Sequence, residues 1–332
     1  MEPWKRFTLL IIAVSSSVLL AAFVSPIKNE EPSAKPLTIA VSQTPLSAPF
    51  IALEHLRLDE KYNLNLRFLA CAGGVVCSQK MFTGEADFAT ASESVVMFKS
   101  FERDDFVVLT SFVESANDLK LLTLESRGVE RISDLQNKRV GIIKASASEF
   151  YFDSMLIANS LKGLDLERVY LKPTELNEKL VKGDVDAISV WEPYGYMLQA
   201  DANEDIINLS LPGIYHLSFN LLSLNTTYQQ NHEQTVRLLQ ALAESVDWIN
   251  TNQEKARTLI AKKLNVPEDQ LLWSWKDYVF RLSLSNALLS NLQMQARWAV
   301  DANLTQGKIP EFRAFMAIEA LEEAIKLEVA VK

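Results

Sequence analysis

The segment from Lys182 to Tyr194 constrains the fold most, because it contains a helix end, a turn, a strand and a corner in that order. Gly183 provides the left-handed conformation that commonly ends a helix. Val185 to Val190 is an apolar run of strand length. Pro193 has a fixed φ and no N–H, which suits the start of the next helix. The segment therefore predicts an open α/β sheet in which Glu192 follows the carboxyl end of a strand, where ligands bind in such sheets.

A second segment, Met81 to Ser92, repeats this order of helix end, glycine turn, Asp, short strand and small polar residues. Together with Ser133 to Leu135 and Arg139 to Lys144, the two segments resemble the extracytoplasmic substrate-binding proteins of ABC importers. The branch is the one for sulfonate, nitrate, taurine and thiamine-pyrimidine precursors, and the resemblance covers most of the chain after about Pro36. It implies an α/β, type II-like periplasmic-binding-protein clamshell of two lobes, each a mostly parallel sheet flanked by helices.

Strands and helices also alternate along the chain in two similar sets, which predicts two domains built on parallel strands. We expect lobe one to contain residues 37–115 and 217–332, and lobe two to contain residues 120–212. The chain then crosses between the lobes near 115–118 and near 212–216, and we expect these crossings to be the hinges. From Gln234 onward almost every residue follows a helical period, so no strand is expected there.

The N-terminal residues predict export. Lys5 and Arg6 precede the uncharged run from Phe7 to Val24, which is the pattern of a secretory signal. The run also approaches the length of about 17–25 residues that spans a membrane. Residues 1–25 are therefore either a cleaved signal peptide or a membrane anchor, and residues 26–36 are a tether. In both cases we expect the rest of the chain to be periplasmic or at the cell surface.

Composition excludes several classes of function. The formal net charge of −9 argues against nucleic acid as a partner, because binding phosphates requires a basic face. The three His and two Cys residues lack the spacing of a metal site, so neither a metal nor a cofactor is expected. Cys71 and Cys77 either form a disulfide, which an oxidising compartment allows, or remain small buried side chains.

Loops that follow the predicted strands supply candidate ligand residues. Small residues let the backbone approach a ligand closely, and a helix N-terminus favours negative charge. Glu192 is suited to accept a hydrogen bond from an ammonium or amide group and would repel a bare oxyanion, while Lys144 is the cation nearest these loops. This favours a ligand with a donor or a positive group. We expect the ligand to contact Thr44, Gly73, Gly74, Ser92, Ser146, Ser148, Trp191, Glu192 and Tyr194.

These features predict a binding protein rather than an enzyme, since no Ser/His/Asp or Cys/His arrangement can be argued. The leading hypothesis is a monomeric solute-binding protein that captures a small polar organic molecule and delivers it to an ABC permease in the inner membrane. One alternative is a membrane-anchored sensor whose closure is read by a signalling partner. Another is an enzyme on the same fold, although the cysteine-rich motif of the fungal thiamine-pyrimidine synthases is missing.

Overall fold

The computed structural model describes residues 36–331. The segments predicted to be the signal peptide or anchor (1–25) and nearly all of the tether (26–36) therefore lie outside the described residues. Among the described residues, no helix is both long enough and apolar enough to cross a bilayer.

Two β-sheets organise the described chain. The first has six strands in the order β11-β4-β10-β3-β1-β2, and the second has five in the order β7-β6-β8-β5-β9. The first sheet contains β1 (Leu37–Ser42), β2 (Leu66–Cys71), β3 (Phe88–Ser92), β4 (Phe106–Ser115), β10 (Leu217–Leu224) and β11 (Tyr278–Ser283). The second contains β5 (Leu119–Leu124), β6 (Arg139–Ile142), β7 (Glu167–Tyr170), β8 (Ala187–Trp191) and β9 (Ile206–Asn208).

Helices flank both sheets. Those on the first sheet are α1 (Ala48–His55), α2 (Leu58–Lys61), α3 (Gly74–Phe82), α4 (Glu93–Glu102), α8 (Asn225–Gln230), α9 (His232–Thr251), α10 (Gln253–Leu264), α11 (Glu268–Ser274), α12 (Asn286–Asp301) and α13 (Ile318–Val331). Those on the second sheet are α5 (Ala147–Ala158), α6 (Leu176–Lys182) and α7 (Tyr194–Asp201). Short 3₁₀ helices cover Pro45–Ser47, Glu125–Arg127, Ile132–Leu135, Pro173–Glu175, Trp275–Asp277 and Phe312–Phe315.

The two-lobed α/β architecture is confirmed, and both sheets are mixed rather than mostly parallel. Strands β1, β2 and β3 pair in parallel, as do β6, β7 and β8. The strand that follows each crossing runs the other way: β10 is antiparallel to β3 and β4, and β5 is antiparallel to β8 and β9. In successive βαβ units, a helical crossover returns the chain to the start of the sheet and makes the strands parallel. A strand that enters a sheet from the other lobe has no such crossover, so it can run antiparallel.

The core of the first lobe lies on both faces of its sheet. Strand β1 is buried along its whole length, as expected for a central strand covered by helices on both sides. On one face Phe50 of α1 meets Phe112 of β4 edge to face, with ring centroids 5.0 Å apart. On the other face, Met81 of α3 and Leu292 of α12 belong to a second buried cluster. This packing holds the strand ends, and therefore the loops after them, in fixed positions.

Two strands fall outside the sequence predictions. Strand β9 has three residues, too few for a hydrophobic period to be recognised. Strand β11 lies within the region predicted to be helical, and its residues Tyr278 to Arg281 alternate between buried and exposed. Four residues with a period of two do not outweigh the long helical patterns on either side of them. Among the described residues, the two sheets are connected by residues 116–118 and 209–216. The lobe limits and the hinge positions remain predictions.

Candidate ligand-binding site

A cavity lies between the two sheets, where strands of both lobes end. Its volume is about 30 Å³, which is room for roughly one or two water molecules. The first lobe, the crossing at Asp118 and the second lobe all contribute to its wall. We call this space the interlobe cavity, and it is lined by Ser42, Thr44, Leu46, Gly73, Gly74, Val75, Ser92, Val95, Asp118, Ser146, Ala147, Trp191, Leu217 and Phe219.

The direction of the strands explains why these residues meet. Ser42 ends β1, Ser92 ends β3 and Trp191 ends β8, and parallel strands bring their carboxyl ends to one edge of a sheet. Ser146 lies at the start of α5, where its Oγ accepts a hydrogen bond from the backbone N–H of Ser148 at 3.2 Å. Helix starts and strand ends therefore form most of the cavity wall.

Most of the predicted ligand residues lie together on this wall. Whether they contact a ligand remains a prediction, but their convergence follows from the order of strands and helices. The predicted residues that line the interlobe cavity are Thr44, Gly73, Gly74, Ser92, Ser146 and Trp191.

Ser148 and Tyr194 lie away from the cavity wall. Ser148 Oγ donates to the Ser189 carbonyl at 2.7 Å, and Ser189 Oγ donates to the Ser148 carbonyl at 2.8 Å, which joins α5 to β8. Tyr194 packs against the apolar cluster of the second lobe, where burial raises the pKa of its phenol. Both side chains support the second lobe.

Glu192, which was expected to contact the ligand, is also absent from the wall, and only 2% of the residue is accessible. Its Oε2 accepts a hydrogen bond from the backbone N–H of Tyr196 at 3.0 Å. Burial raises the pKa of the Glu192 carboxyl to about 7, against the opposing charge of Lys120. Glu192 is therefore buried at the start of α7, beside Lys120 and the crossing at Asp118.

Asp118 is the acidic side chain that does reach the interlobe cavity. It is 1% exposed, and its Oδ1 accepts a hydrogen bond from Tyr278 Oη at 2.8 Å. Burial raises the pKa of the Asp118 carboxyl to about 6, while the Tyr278 hydrogen bond and the charge of Lys120 lower it. Its other oxygen, Oδ2, is buried without a hydrogen-bond partner.

Two hydroxyl groups on the same wall are also unsatisfied. Ser42 Oγ and Thr44 Oγ1 are buried and have no hydrogen-bond partner among the described residues. Buried polar groups in native proteins are nearly always paired, so an unpaired set around one cavity requires an explanation. A polar ligand that fills the cavity would satisfy all three groups.

Asp118 was expected to be a hinge residue and was not among the predicted ligand contacts. The available signal was Lys120, a charged residue inside the otherwise apolar strand β5. A fully buried Lys requires anionic or carbonyl partners nearby, and here its ammonium donates to the backbone carbonyl and to Oδ1 of Asn117. Asp118, two residues before Lys120, is one of the carboxyl groups that interact with this ammonium electrostatically.

The turn at Gly73 and Gly74 brings backbone to the cavity. Gly73 has φ +86°, and a Cβ on Gly74 would lie 2.8 Å from the Cα of Ala91. The start of α3 can therefore pack on the end of β3 only with glycine at this position. A disulfide joins Cys71 at the end of β2 to Cys77 in α3, with Cα atoms 5.5 Å apart, and this bond ties the two sides of the turn together.

The charges at the wall are asymmetric. Among residues 36–331, no Lys or Arg side chain lines the interlobe cavity. Lys144 is exposed, and its ammonium lies 5.4 Å from the ring centroid of Tyr170. Positive potential at the wall therefore comes from the N-termini of α3, α4 and α5, and negative charge comes from Asp118.

A larger groove of about 740 Å³ lies elsewhere between the lobes, bordered by α5 and β7 on one side and α12 on the other. Trp298 Nε1 of α12 donates to Asp153 Oδ2 of α5 at 2.7 Å, which links the lobes beside this groove. Within the described chain, no buried polar atom of its lining residues lacks a partner. The candidate site is therefore placed at the interlobe cavity, where buried polar atoms without partners do lie.

Several known proteins share this architecture. The periplasmic aliphatic sulphonate binding protein SsuA from Escherichia coli superposes with a TM-score of 0.72 and 18% identity over 85% of this chain and 92% of that chain. The alkanesulfonate-binding protein SsuA from Xanthomonas axonopodis pv. citri, bound to MOPS, gives a TM-score of 0.74 and 17% identity over 85% of this chain and 98% of that one. These likenesses establish the fold.

Sequence comparison also finds proteins that are named for binding aliphatic sulfonates. A protein of Bacillus subtilis (strain 168) that is named for binding aliphatic sulfonates is 22% identical over 256 residues, which is 75% of this chain and 76% of that protein. The family model described as "NMT1/THI5 like" matches residues 60–256, a stretch that includes β3, α5, β8 and Asp118. The chain belongs to the NMT1/THI5-like family.

Proposed function

We propose that this chain is an extracytoplasmic solute-binding protein that captures a small polar organic molecule between its lobes for uptake by an ABC transporter. The observation that carries the proposal is the set of unpaired buried polar atoms at the interlobe cavity: Ser42 Oγ, Thr44 Oγ1 and Asp118 Oδ2. Leaving such groups without partners costs folding free energy. A bound solute that hydrogen-bonds to these atoms recovers that cost.

The volume of the cavity requires motion. Ligand pockets are commonly about 300–1,000 Å³, and the interlobe cavity has about 30 Å³. We infer that the lobes separate to admit the solute, with residues 115–118 and 212–216 as hinges, residues 37–115 and 217–332 as lobe one, and residues 120–212 as lobe two. Hinges that consist of a few connecting residues suit this kind of closure.

The proposed ligand contacts are the predicted residues on the wall, with Ser42 and Asp118 added. Ser148, Glu192 and Tyr194 hold the second lobe in shape beneath them. Binding and release of a solute require no catalytic group. We therefore assign this protein a role in binding and delivery rather than in catalysis, and we propose that it acts as a monomer. We further propose that residues 1–25 direct export, that residues 26–36 are a tether, and that the partner is an inner-membrane ABC permease.

Comparison of solute uptake by the host with and without the gene tests this function. Mass spectrometry of the medium should reveal at least one small molecule that the parent strain removes and the deletion strain leaves behind. That molecule should stabilise the purified protein by about 2.7 kcal/mol at a hundredfold excess over Kd. Unchanged uptake of every molecule that binds the protein would contradict a transport role, and altered transcription in its place would indicate the sensor alternative.

A further inference from the structure

The buried charges at the first crossing do not balance. One ammonium group, that of Lys120, lies among the carboxyl groups of Asp118, Glu192 and Asp277, and each of these interacts with it electrostatically. Lys120 and Asp118 are 1% exposed and Glu192 is 2% exposed. Charges so far from water are normally paired, and a single ammonium group pairs with only part of this set.

The hydrogen bonds leave one acceptor directed at the interlobe cavity. Lys120 directs its ammonium to the carbonyl and the side chain of Asn117, and Asn117 in turn donates to Asp277 Oδ2 at 2.8 Å. Tyr278 Oη donates a hydrogen bond to Asp118 Oδ1. Asp118 Oδ2 therefore remains the open, buried carboxylate oxygen on the cavity wall.

We propose that the physiological ligand carries a protonated amine or another cationic N–H group, which donates to Asp118 Oδ2. The inference rests on the proposed solute-binding function and specifies the class of solute. A cation at this position supplies the missing positive charge of the crossing and satisfies the open oxygen with a charge-assisted hydrogen bond. A ligand without such a group would leave Asp118 unpaired or would face it with like charge.

The rest of the wall suits an acceptor or anionic end of the same molecule. The helices α3, α4 and α5 begin at the cavity, at Gly74, Glu93 and Ala147, and their N-termini favour negative charge. Ser42 and Thr44 add two hydroxyl donors that have no internal partner. The geometry therefore fits a small molecule with a positive end and a negative or acceptor end, and it does not favour a simple alkyl anion.

Matched ligand pairs separate these possibilities. The probes are 2-aminoethanesulfonate against ethanesulfonate, 3-aminopropanesulfonate against propanesulfonate, and 4-aminobutanoate against butanoate, so that each pair differs in the amine. Titration calorimetry at about pH 8, where the Asp118 carboxyl is ionised, should give tighter binding for the amine of a pair by about tenfold or more, since a hydrogen bond to a charged group is worth at least one decade of affinity.

Two variants assign the effect to Asp118. Asp118→Asn keeps an acceptor for Tyr278 and removes the charge, and it should weaken binding of the amine about tenfold to a hundredfold while the amine-free partner binds as before or better. Asp277→Asn is the control, because it makes the same change beside Lys120 but does not line the interlobe cavity. It should retain the wild-type preference, and thermal unfolding should show that both variants are folded.

Two results would overturn the inference: tighter binding of a nitrogen-free sulfonate or carboxylate than of its amine, or an amine preference that persists in Asp118→Asn. Either result would leave the solute-binding function standing. Failure of the protein to bind any small molecule from its host would instead count against that function itself.

Discussion

Glu93 provides a test of the electrostatics beside the interlobe cavity. It is the first residue of α4 and is fully buried. Its Oε2 accepts from the backbone N–H of Ser218 at 2.7 Å and from Ser218 Oγ at 3.2 Å, and its Oε1 accepts from Gln295 Nε2 at 3.0 Å. All of these donors are neutral. Burial therefore dominates and raises the pKa of the Glu93 carboxyl from 4.5 to about 7.

The pH dependence of folding stability that Glu93 causes follows from the difference in proton binding between the folded and unfolded states. Between pH 4.5 and about 7 the folded protein retains a proton on Glu93 that the unfolded chain releases. The contribution of Glu93 to folding stability is therefore complete below pH 4.5, and it is lost as the pH rises through about 7. Between about pH 5 and about pH 8 the change amounts to about 2–3 kcal/mol, at about 1.4 kcal/mol per pKa unit.

Glu93→Gln removes this proton and keeps the shape of the side chain. We expect the free energy of unfolding of the variant, relative to that of wild type, to increase by about 2–3 kcal/mol from about pH 5 to about pH 8, because wild type loses stability as Glu93 ionises and the variant does not. Urea unfolding at several pH values measures the difference directly and cancels the contributions of other groups. A difference that stays constant with pH would refute the burial argument for Glu93.

Three further outcomes are expected. Gly74→Ala should cost about 1–3 kcal/mol of stability in urea unfolding, because its Cβ would lie 2.8 Å from the Cα of Ala91; unchanged stability would show that α3 is free to shift. Replacing both Cys71 and Cys77 by Ser should cost about 2 kcal/mol, the value for closing so short a loop, and equal stability of the oxidised and reduced wild type would contradict it. Binding of an amine ligand should weaken as the pH falls below about 6, because a proton then competes for Asp118, and calorimetric affinities that do not change across this range would argue against contact with its carboxylate.

The sequence predicted those parts of the fold that depend on local patterns. The apolar run Val185 to Val190 overlaps β8, and Gly183 ends α6 in the left-handed conformation as expected. The convergence of Thr44, Ser92 and Ser146 followed from the rule that ligands bind beyond strand ends. The antiparallel direction of β10 could not be predicted, because direction depends on which neighbours a strand meets in the folded sheet.

The burial of charged residues was the part that the sequence did not reveal. No sequence pattern indicated that Glu93 is buried, and Glu192 was expected to contact the ligand. Both are buried, because Gln295 and Ser218 cover Glu93, and the Lys120 side chain and α7 lie over Glu192. Ser218, Gln295 and Lys120 are distant in the sequence from the carboxylates that they cover, so no local pattern could identify them. The hydrogen bond from Tyr278 to Asp118 also joins residues that are 160 positions apart.

If the unpaired polar atoms at the interlobe cavity bind a solute, removing them should release it. Native mass spectrometry would compare wild type with the Ser42→Ala/Thr44→Ala double variant after both are equilibrated with a small-molecule extract of the host. Because these hydroxyls have no internal partners, the double variant should be at least as stable as wild type. Ser245→Ala is the control: its Oγ donates to the Leu242 carbonyl at 2.7 Å within α9, so it should lose stability and keep its ligand. We expect one bound molecule per wild-type chain and much lower occupancy in the double variant. Equal occupancy in the two proteins, or a wild type that binds nothing, would contradict it.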